Sequence, residues 1–215
     1  GVTVRTTYIF DPVYYPTGLP KKIQVFDRND QNRKPPVYMS YFGENGETTN
    51  QGKLKEVYGP VPNSTTLNDD NAVILKEQYE WTPMGNPKKT RSLDPRTDAN
   101  LSFVDTDFTY TNADQPNERI GQPVKIEGPA FTSYQTVNPP QVRTTNEYGY
   151  GPNNRALWSQ QRGVATRTSY EYAGENISRI TSPAVGGVVP RKTLEYTNNE
   201  PSKITESDAT SGTAL

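Results

Sequence analysis

The side chains of this sequence that are best suited to chemistry are carboxylates and amides. They cluster at Asn68-Asp69-Asp70-Asn71 and at Asp27-Arg28-Asn29-Asp30. Oxygen ligands suit calcium, but neither cluster has the regular spacing of a calcium loop, and the same residue types are common in turns. We therefore interpret both clusters as solvated loops, and we predict no metal site and no cofactor.

Catalysis is restricted further by what the 215-residue chain lacks, since it has no cysteine and no histidine. This excludes disulfides, thiolate or imidazole metal sites, a cysteine nucleophile and a Ser-His-Asp triad. Glycoside hydrolysis needs two carboxylates at a defined separation in a cleft. The 24 Asp and Glu residues are scattered, and no acid/base motif stands out. The sequence therefore predicts a protein that is not an enzyme.

Composition points to a thin structure without a nucleic-acid partner and without a membrane span. The formal charge is -1, without a basic block to follow phosphates. No apolar run approaches the roughly 18 residues of a membrane span. Even with its 16 glycines added to the 31% hydrophobic residues, the apolar fraction stays below the roughly 45–50% of average globular chains. The 14 tyrosines suit thin sheets, because their rings bury area while their hydroxyls stay solvated or bonded.

The elements that must position these side chains are predicted to be strands. The 19 prolines interrupt most windows that would host a helix, and Val, Thr, Tyr and Ile alternate with polar residues, as in half-buried strands. The best helical window runs from Asn68 to Trp81. We predict a strand there too, because Tyr79-Glu80-Trp81 repeats a pattern found elsewhere in the chain.

That pattern is a pair of bulky residues separated by one residue, which alternation places on the same sheet face. In the second repeat, either Met39 and Tyr41 or Ser40 and Phe42 take these positions. The other pairs are Tyr8 and Phe10, Tyr79 and Trp81, Phe108 and Tyr110, Tyr148 and Tyr150, Tyr170 and Tyr172, and Leu194 and Tyr196.

Each pair precedes a turn rich in Gly, Asn and Pro, and then a second strand. Isoleucines in these second strands, namely Ile23, Ile126, Ile180 and Ile204, are expected to face the aromatic residues. We predict an all-β fold of tandem β-hairpin repeats in a curved, spiral or shell-like antiparallel sheet. The repeats span about 3–30, 37–60, 73–95, 103–129, 142–162, 166–183 and 190–207.

These repeats resemble the YD-repeat, or RHS, family, in which an aromatic-x-Tyr-Asp strand leads through Gly and Asn-Arg to a Lys/Arg-x-Ile/Val-Thr strand and Asp-Pro. The family's Asp after the aromatic residue stands here only at Asp11. The matching residues are Tyr170, Tyr172, Gly174, Asn176, Arg179, Ile180, Thr181 and Pro183, then Tyr196, Lys203, Ile204 and Thr205, and also Trp81, Gly85, Asn86, Asp94 and Pro95.

The resemblance implies a segment of a hollow β-sheet shell, as in bacterial RHS effectors, insecticidal toxin complexes and animal teneurins. It implies a secreted or extracellular protein of bacterial origin whose partners are the rest of the shell, or a partner toxin component, and an enclosed toxin domain. The family's self-cleaving acidic residues have no counterpart in this sequence. We expect the chain to be a piece of a longer protein, whose strand edges would also permit edge-to-edge self-association.

Two other readings of the aromatic residues stay open. The chain would be a binding or adhesion module if its loops recognised a glycan or a protein, or if its aromatic residues formed a carbohydrate platform. The pattern favours packing between neighbouring hairpins, because the aromatic residues recur at a fixed position in the repeat.

Overall fold

The computed structural model describes residues 4–10, 18–27, 32–44, 47–60, 73–94, 102–132, 141–161 and 166–214. Their regular secondary structure consists of antiparallel strands, so the predicted all-β class with repeated hairpins is confirmed. The window from Asn68 to Trp81 contains a strand over Val73–Trp81, as predicted. Within these described ranges, no helix has the length and apolar character that crossing a membrane requires.

The chain divides into two compact units, and unit 1 comprises Gly1–Phe108. Neighbours in sequence are also neighbours in its sheet. Its strands are β1 (Val4–Phe10), β2 (Pro20–Asp27), β3 (Asn32–Tyr41), β4 (Leu54–Pro60), β5 (Val73–Trp81), β6 (Pro87–Leu93) and β7 (Phe103–Thr109), the last of which ends one residue into unit 2.

Unit 2 comprises Thr109–Leu215 and follows the same rule of sequential pairing. A long loop separates Thr109 from its first complete strand. Its strands are β8 (Lys125–Thr132), β9 (Gln141–Tyr150), β10 (Ala156–Gln161), β11 (Thr168–Ala173), β12 (Asn176–Thr181), β13 (Pro190–Thr197) and β14 (Glu200–Asp208).

The register inside the hairpins follows the side-chain alternation. Tyr8 lies opposite Ile23, and Tyr170 lies opposite Ile180. The predicted cross-strand pairing of bulky residues with isoleucine is therefore confirmed in these hairpins. Pairs of this kind contribute about 0.2–1 kcal/mol each. We call the side of each unit that carries the bulky pairs its aromatic face and the opposite side its charged face.

A β-bulge recurs at the end of the hairpins, and sequence patterns did not indicate it. In the β3–β4 hairpin, Tyr41 lies opposite Leu54 but Ser40 lies opposite Glu56, so Lys55 is an extra residue in β4. The β11–β12 hairpin repeats this geometry, with Ser178 as the extra residue. The same shift occurs beside Phe10, Trp81, Tyr150 and Tyr196. A bulge increases local twist and ends regular pairing.

Complete burial is rare, as the low apolar content of the sequence requires. Among the described residues, the buried hydrophobic side chains are Tyr41, Tyr110 and Val124. Most aromatic residues of the repeat are half-buried, because each is covered mainly by its neighbours within a sheet. Stability therefore depends on many contacts between adjacent strands.

The charged face carries cross-strand ion pairs from the residue that separates the two bulky residues. Glu171 lies opposite Arg179, and their side chains approach to 2.6 Å. Glu195 lies opposite Lys203 at 3.3 Å. Exposed pairs of this kind contribute at most about 1 kcal/mol, so this face sets register more than it adds stability.

We expect part of the acid sensitivity of unit 1 to come from Asp105. Hydrogen bonds from Arg91 and then from Lys89 lower the pKa of Asp105 from 3.8 to about 2. A carboxylate with a lowered pKa in the folded state stabilises the fold above its unfolded pKa, and this contribution is lost as pH falls from about 4 to about 2. Asp105→Asn should cost less than about 1 kcal/mol at neutral pH. The difference in unfolding free energy between this variant and the wild type should disappear towards pH 2.

Urea unfolding of both proteins between pH 7 and pH 2 measures this difference. Asp208 titrates over the same range, because the backbone amides of Thr210 and Val189 hold its pKa at about 2. Because both proteins contain Asp208, its contribution cancels in the difference between their unfolding free energies. A deficit that stays constant down to pH 2 would contradict the assignment to Asp105.

Candidate functional site

The second aromatic residue of a hairpin repeatedly bonds to the backbone of the hairpin before it. Tyr172 Oη donates to the carbonyl oxygen of Ala156 at 2.9 Å, and Tyr196 Oη donates to that of Ile177 at 2.9 Å. We call such a side chain a brace residue. The others are Tyr41 to Pro20 at 2.6 Å, Trp81 Nε1 to Leu54 at 2.7 Å, and Tyr150 to Pro123 at 3.0 Å.

The accepting carbonyls lie beyond the backbone ladder that joins successive hairpins. Strands β10 and β11 pair only at Trp158 with Ser169 and at Ser159 with Thr168, so Ala156 lies outside the ladder. The β12–β13 ladder likewise stops at Arg179, two residues after Ile177. A backbone carbonyl that loses its ladder partner must find another donor or stay solvated. The brace hydroxyl is that donor, so a side chain continues the junction where the backbone ladder ends.

Cations from the preceding hairpin cover several brace rings. Arg155 lies 5.2 Å from the ring centre of Tyr172, and Lys53 lies 5.0 Å from that of Trp81. Both cations immediately precede the residue whose carbonyl accepts the brace bond. Contacts of this kind contribute about 0.5–1 kcal/mol at exposed sites. Each of these two junctions therefore combines a hydrogen bond with a cation–π contact.

We expect Tyr172→Phe to lower the free energy of unfolding by about 0.5–1.5 kcal/mol. The substitution keeps the ring beneath Arg155 and removes only the hydrogen bond to Ala156. Urea denaturation measures the loss. The matched control is Tyr148→Phe in the same unit, because the Tyr148 hydroxyl has no hydrogen-bond partner in the described part of the chain. Equal losses in the two variants would show that the brace bond contributes nothing.

The predicted repeat positions divide into two groups by their contacts. Tyr150, Tyr172, Tyr196 and Trp81 are brace residues. Tyr110 is buried, and its burial raises the pKa of its hydroxyl. Phe10, at the corresponding place in β1, is 40% exposed. Among the first-position residues, Tyr170 is bonded across the β10–β11 junction to the side chain of Ser159 at 3.1 Å, not to a backbone carbonyl. The remaining first-position residues are Tyr8, Tyr79, Phe108, Tyr148 and Leu194.

Tyr79, another first-position residue, makes its contacts within its own strand. Its ring stacks on Trp81 with centres 6.4 Å apart, and its hydroxyl bonds to Glu77 in the same strand. Burial, followed by the bond to Glu77, raises the pKa of Tyr79 to about 12. This hydroxyl is therefore protonated at neutral pH and is not poised as a base.

Two cavities lie in unit 2, both bordered by Tyr148, and sequence analysis did not single them out. The first has a volume of about 220 Å³ and is lined by residues of the loop before β8 and of the β9–β10 hairpin. The second has a volume of about 290 Å³ and is lined by hydroxyl and amide side chains of β9, β10 and the start of β11. The first cavity is lined by Asn112, Asp114, Gln115, Tyr148, Gly149, Tyr150, Leu157 and Trp158.

Trp158 forms one wall of the first cavity in an arrangement that depends on Gly149. A Cβ atom on Gly149 would lie only 2.0 Å from Trp158 Nε1, so the indole packs directly against the glycine backbone. The Arg167 guanidinium covers the indole at 3.6 Å from the ring centre. In the sequence, the close packing of Trp158 is indicated only by the glycine of Tyr148-Gly149-Tyr150, because other repeats carry a larger residue at that position.

The acidic clusters do not contribute a site to the described structure. Residues 68–71 and 28–30 lie outside the described residues. Across the ranges that are described, no three acidic side chains come together in a way that would hold a metal ion.

Comparison with known proteins adds no relative to this picture. No family model matches the chain, and no curated protein matches it.

Proposed function

We propose that this chain is a structural wall segment of a secreted toxin shell, which encloses or presents a toxic cargo domain. The observation that carries the proposal is the brace bond, which recurs at successive hairpin junctions. Aromatic residues that are engaged in joining hairpins build a surface rather than a ligand site. The hollow shell and its enclosed cargo domain are inferred from the resemblance to the YD-repeat family.

Such an assembly suits containment, because sequential pairing joins its hairpins by backbone bonds and brace bonds add a side-chain link at most of the junctions. On the charged face, Glu171 and Glu195 are paired with cations across strands, and all four side chains stay in contact with solvent. The partners in this proposal are the remainder of the shell, or a partner toxin component, and the enclosed domain. Edge-to-edge self-association is the interaction expected of unpaired strands.

Electron microscopy and limited proteolysis of the native polypeptide that carries this chain test the proposal. We expect a hollow particle that protects an internal domain from protease. Replacing both Tyr172 and Tyr196 by alanine should loosen two junctions and shorten the lifetime of the protected domain. A solid particle, or an internal domain cut at the same rate in the presence and absence of the wall, would refute containment.

The alternative is a non-catalytic binding or adhesion module that recognises a glycan or a protein through its loops. The observation that favours it is the pair of cavities beside Tyr148. The two functions differ in what the brace residues do. In a wall, their substitution lowers stability, whereas in an aromatic platform it abolishes ligand binding while stability is unchanged.

A further inference from the structure

The outer edge of β14 ends the series of paired strands in unit 2, and it is exposed. β14 pairs with β13 on its inner side, and residues 200–206 are exposed. Ile204 is 59% exposed, whereas Ile180 at the corresponding place in β12 is half-buried. At one end the outer edge is already in use, because Ser207 forms an antiparallel bridge with Ala214. The rest of this edge is therefore open to an antiparallel strand.

The residue that accepts a brace bond holds a constant position in its own hairpin, and we call it the acceptor residue. Ile177 lies opposite Tyr172, the brace residue of its own hairpin, and accepts from Tyr196 of the next. Ala156 lies opposite Tyr150 and accepts from Tyr172. Two further acceptor residues, Pro20 and Leu54, lie opposite Phe10 and Tyr41.

The register across each braced junction is also constant. The residue two places after the acceptor residue pairs with the residue three places before the brace residue, and the next residue pairs with the one four places before it. For the acceptor residue Ile177, these pairs are Arg179 with Thr193 and Ile180 with Lys192. The same spacing holds in the pairs Lys22–Tyr38, Ile23–Val37, Glu56–Gln78, Val57–Glu77, Lys125–Glu147, Ile126–Asn146, Trp158–Ser169 and Ser159–Thr168.

β14 carries a residue at the acceptor position. Pro201 lies opposite the brace residue Tyr196, as Ile177 lies opposite Tyr172. Pro201 is exposed, and in the described part of the chain no side chain donates to its carbonyl. A proline has no N–H of its own, so this position offers an added strand an acceptor alone. The constant register would then place Lys203 and Ile204 in the ladder with that strand.

Prolines and lysines also blunt exposed edge strands, so the alternative reading of Pro201 and Lys203 is protection of the edge. Pro20 contradicts this reading, since it holds the same position in β2, and β3 still pairs with that strand and braces it. Lys203 is paired with Glu195 of β13 at 3.3 Å, so its charge is already balanced. The β14 edge therefore resembles a junction more than a blunted edge.

We propose that the outer edge of β14 binds one further antiparallel strand, and that this strand carries a tyrosine or tryptophan that donates to the Pro201 carbonyl. In strand addition, main-chain bonds supply affinity and side chains supply selectivity. A second copy of this chain fits less well through its β1 edge, because Phe10 holds the brace position there and has no donor. The proposal rests on the wall function, since it names the kind of strand that would continue the wall.

Titration of the 215-residue chain with synthetic strand peptides tests the proposal, with backbone amide chemical shifts as the readout. The first peptide copies residues 191–197, which place a tyrosine at the brace position, and its matched control has phenylalanine instead of that tyrosine. We expect the first peptide to shift the amides of Lys203 and Ile204. It should bind about threefold to tenfold more tightly than its control, as one hydrogen bond provides. A third peptide copies Val4–Phe10 and represents the edge of a second copy.

The peptide that copies β1 should bind no more tightly than the phenylalanine control. Equal affinity of the tyrosine peptide and its control would overturn the proposal, and so would unshifted Lys203 and Ile204 amides at millimolar peptide. Tight binding of the β1 peptide, equal to that of the tyrosine peptide, would overturn it and identify a second copy as the occupant. Failure of the wall function is distinguishable from all of these, because it is decided by the hollow particle and by the protection of its internal domain.

Discussion

Tyr41→Ala should lower the free energy of unfolding of unit 1 by about 3–5 kcal/mol, as expected for truncating a buried aromatic side chain. Tyr41 is only 5% exposed, which makes it one of the most buried aromatic residues described. Burial, with a smaller effect of Glu44, raises the pKa of its hydroxyl. The hydroxyl donates to the carbonyl oxygen of Pro20 at 2.6 Å. The substitution thus removes the ring that fills the β2–β3 junction and leaves that carbonyl without its donor.

Tyr8→Ala is the matched control for this prediction, because Tyr8 is in the same unit and is 53% exposed. We expect its cost to be about 1–2 kcal/mol, well below that of Tyr41→Ala, since about half of the Tyr8 surface is already exposed in the fold. Tyr41→Phe separates the two contributions of Tyr41. It should cost about 1–3 kcal/mol, the range for a buried acceptor that loses its partner. Urea denaturation followed by tyrosine and tryptophan fluorescence measures all three. Similar losses for Tyr8→Ala and Tyr41→Ala would contradict the brace role.

Gly149→Ala is the second substitution with a large expected effect, and it acts by overpacking. The added Cβ would lie 2.0 Å from Nε1 and 2.3 Å from Cε2 of Trp158, closer than any real contact. Moving the indole would also disturb its contact with Arg167, which lies 3.6 Å from the ring centre. Forced displacement of a packed ring costs about 1–3 kcal/mol. Thermal and urea unfolding should both report this loss.

A double substitution tests whether the clash with Trp158 is the cause. In a Trp158→Ala background the added methyl group meets no ring, so Gly149→Ala should cost less than about 0.5 kcal/mol there. Gly151→Ala is a further control in the same hairpin, since its Cβ would meet Leu157 only at an ordinary 3.4 Å. If Gly149→Ala were equally costly with and without Trp158, strain in the backbone rather than the indole would be responsible.

The hairpins themselves follow from local patterns. Alternation places Tyr170 and Tyr172 on one face and Glu171 on the other, where it meets Arg179. The same alternation sets Ile180 opposite Tyr170. These features depend only on period-two side-chain geometry and on short turns, so they are visible in the letters of one repeat. The proline and glycine content supported them by excluding long helices.

The junctions between hairpins were not predictable in the same way. In the second repeat, the sequence pattern fits either Met39 and Tyr41 or, one residue later, Ser40 and Phe42 as the bulky pair. The structure decides for Tyr41, which reaches Pro20 across the junction. The choice depends on the register between hairpins, and that register is set by a ladder that local sequence does not encode. The bulge opposite Tyr41 has the same origin, since an extra residue in a strand leaves no fixed sequence signature.

The first cavity shows the same division. Its parts come from the loop around Asp114 and from the β9–β10 hairpin, which are more than thirty residues apart in sequence. Nothing in the local pattern around Asp114 indicates that it would line a cavity with Trp158. Only the glycine between Tyr148 and Tyr150 was informative, because a missing side chain in a strand marks the close approach of another group.

The sequence by itself therefore determined the all-β class, the hairpin as the repeated element, and the face on which each side chain lies, because these depend on side-chain period and turn chemistry within a few residues. Only the tertiary structure decided which hydroxyls join successive hairpins. Tyr148 and Tyr150 are two residues apart on the same face, yet only Tyr150 reaches a carbonyl beyond the end of the ladder. The difference is positional, since a brace residue must lie where backbone pairing has ended.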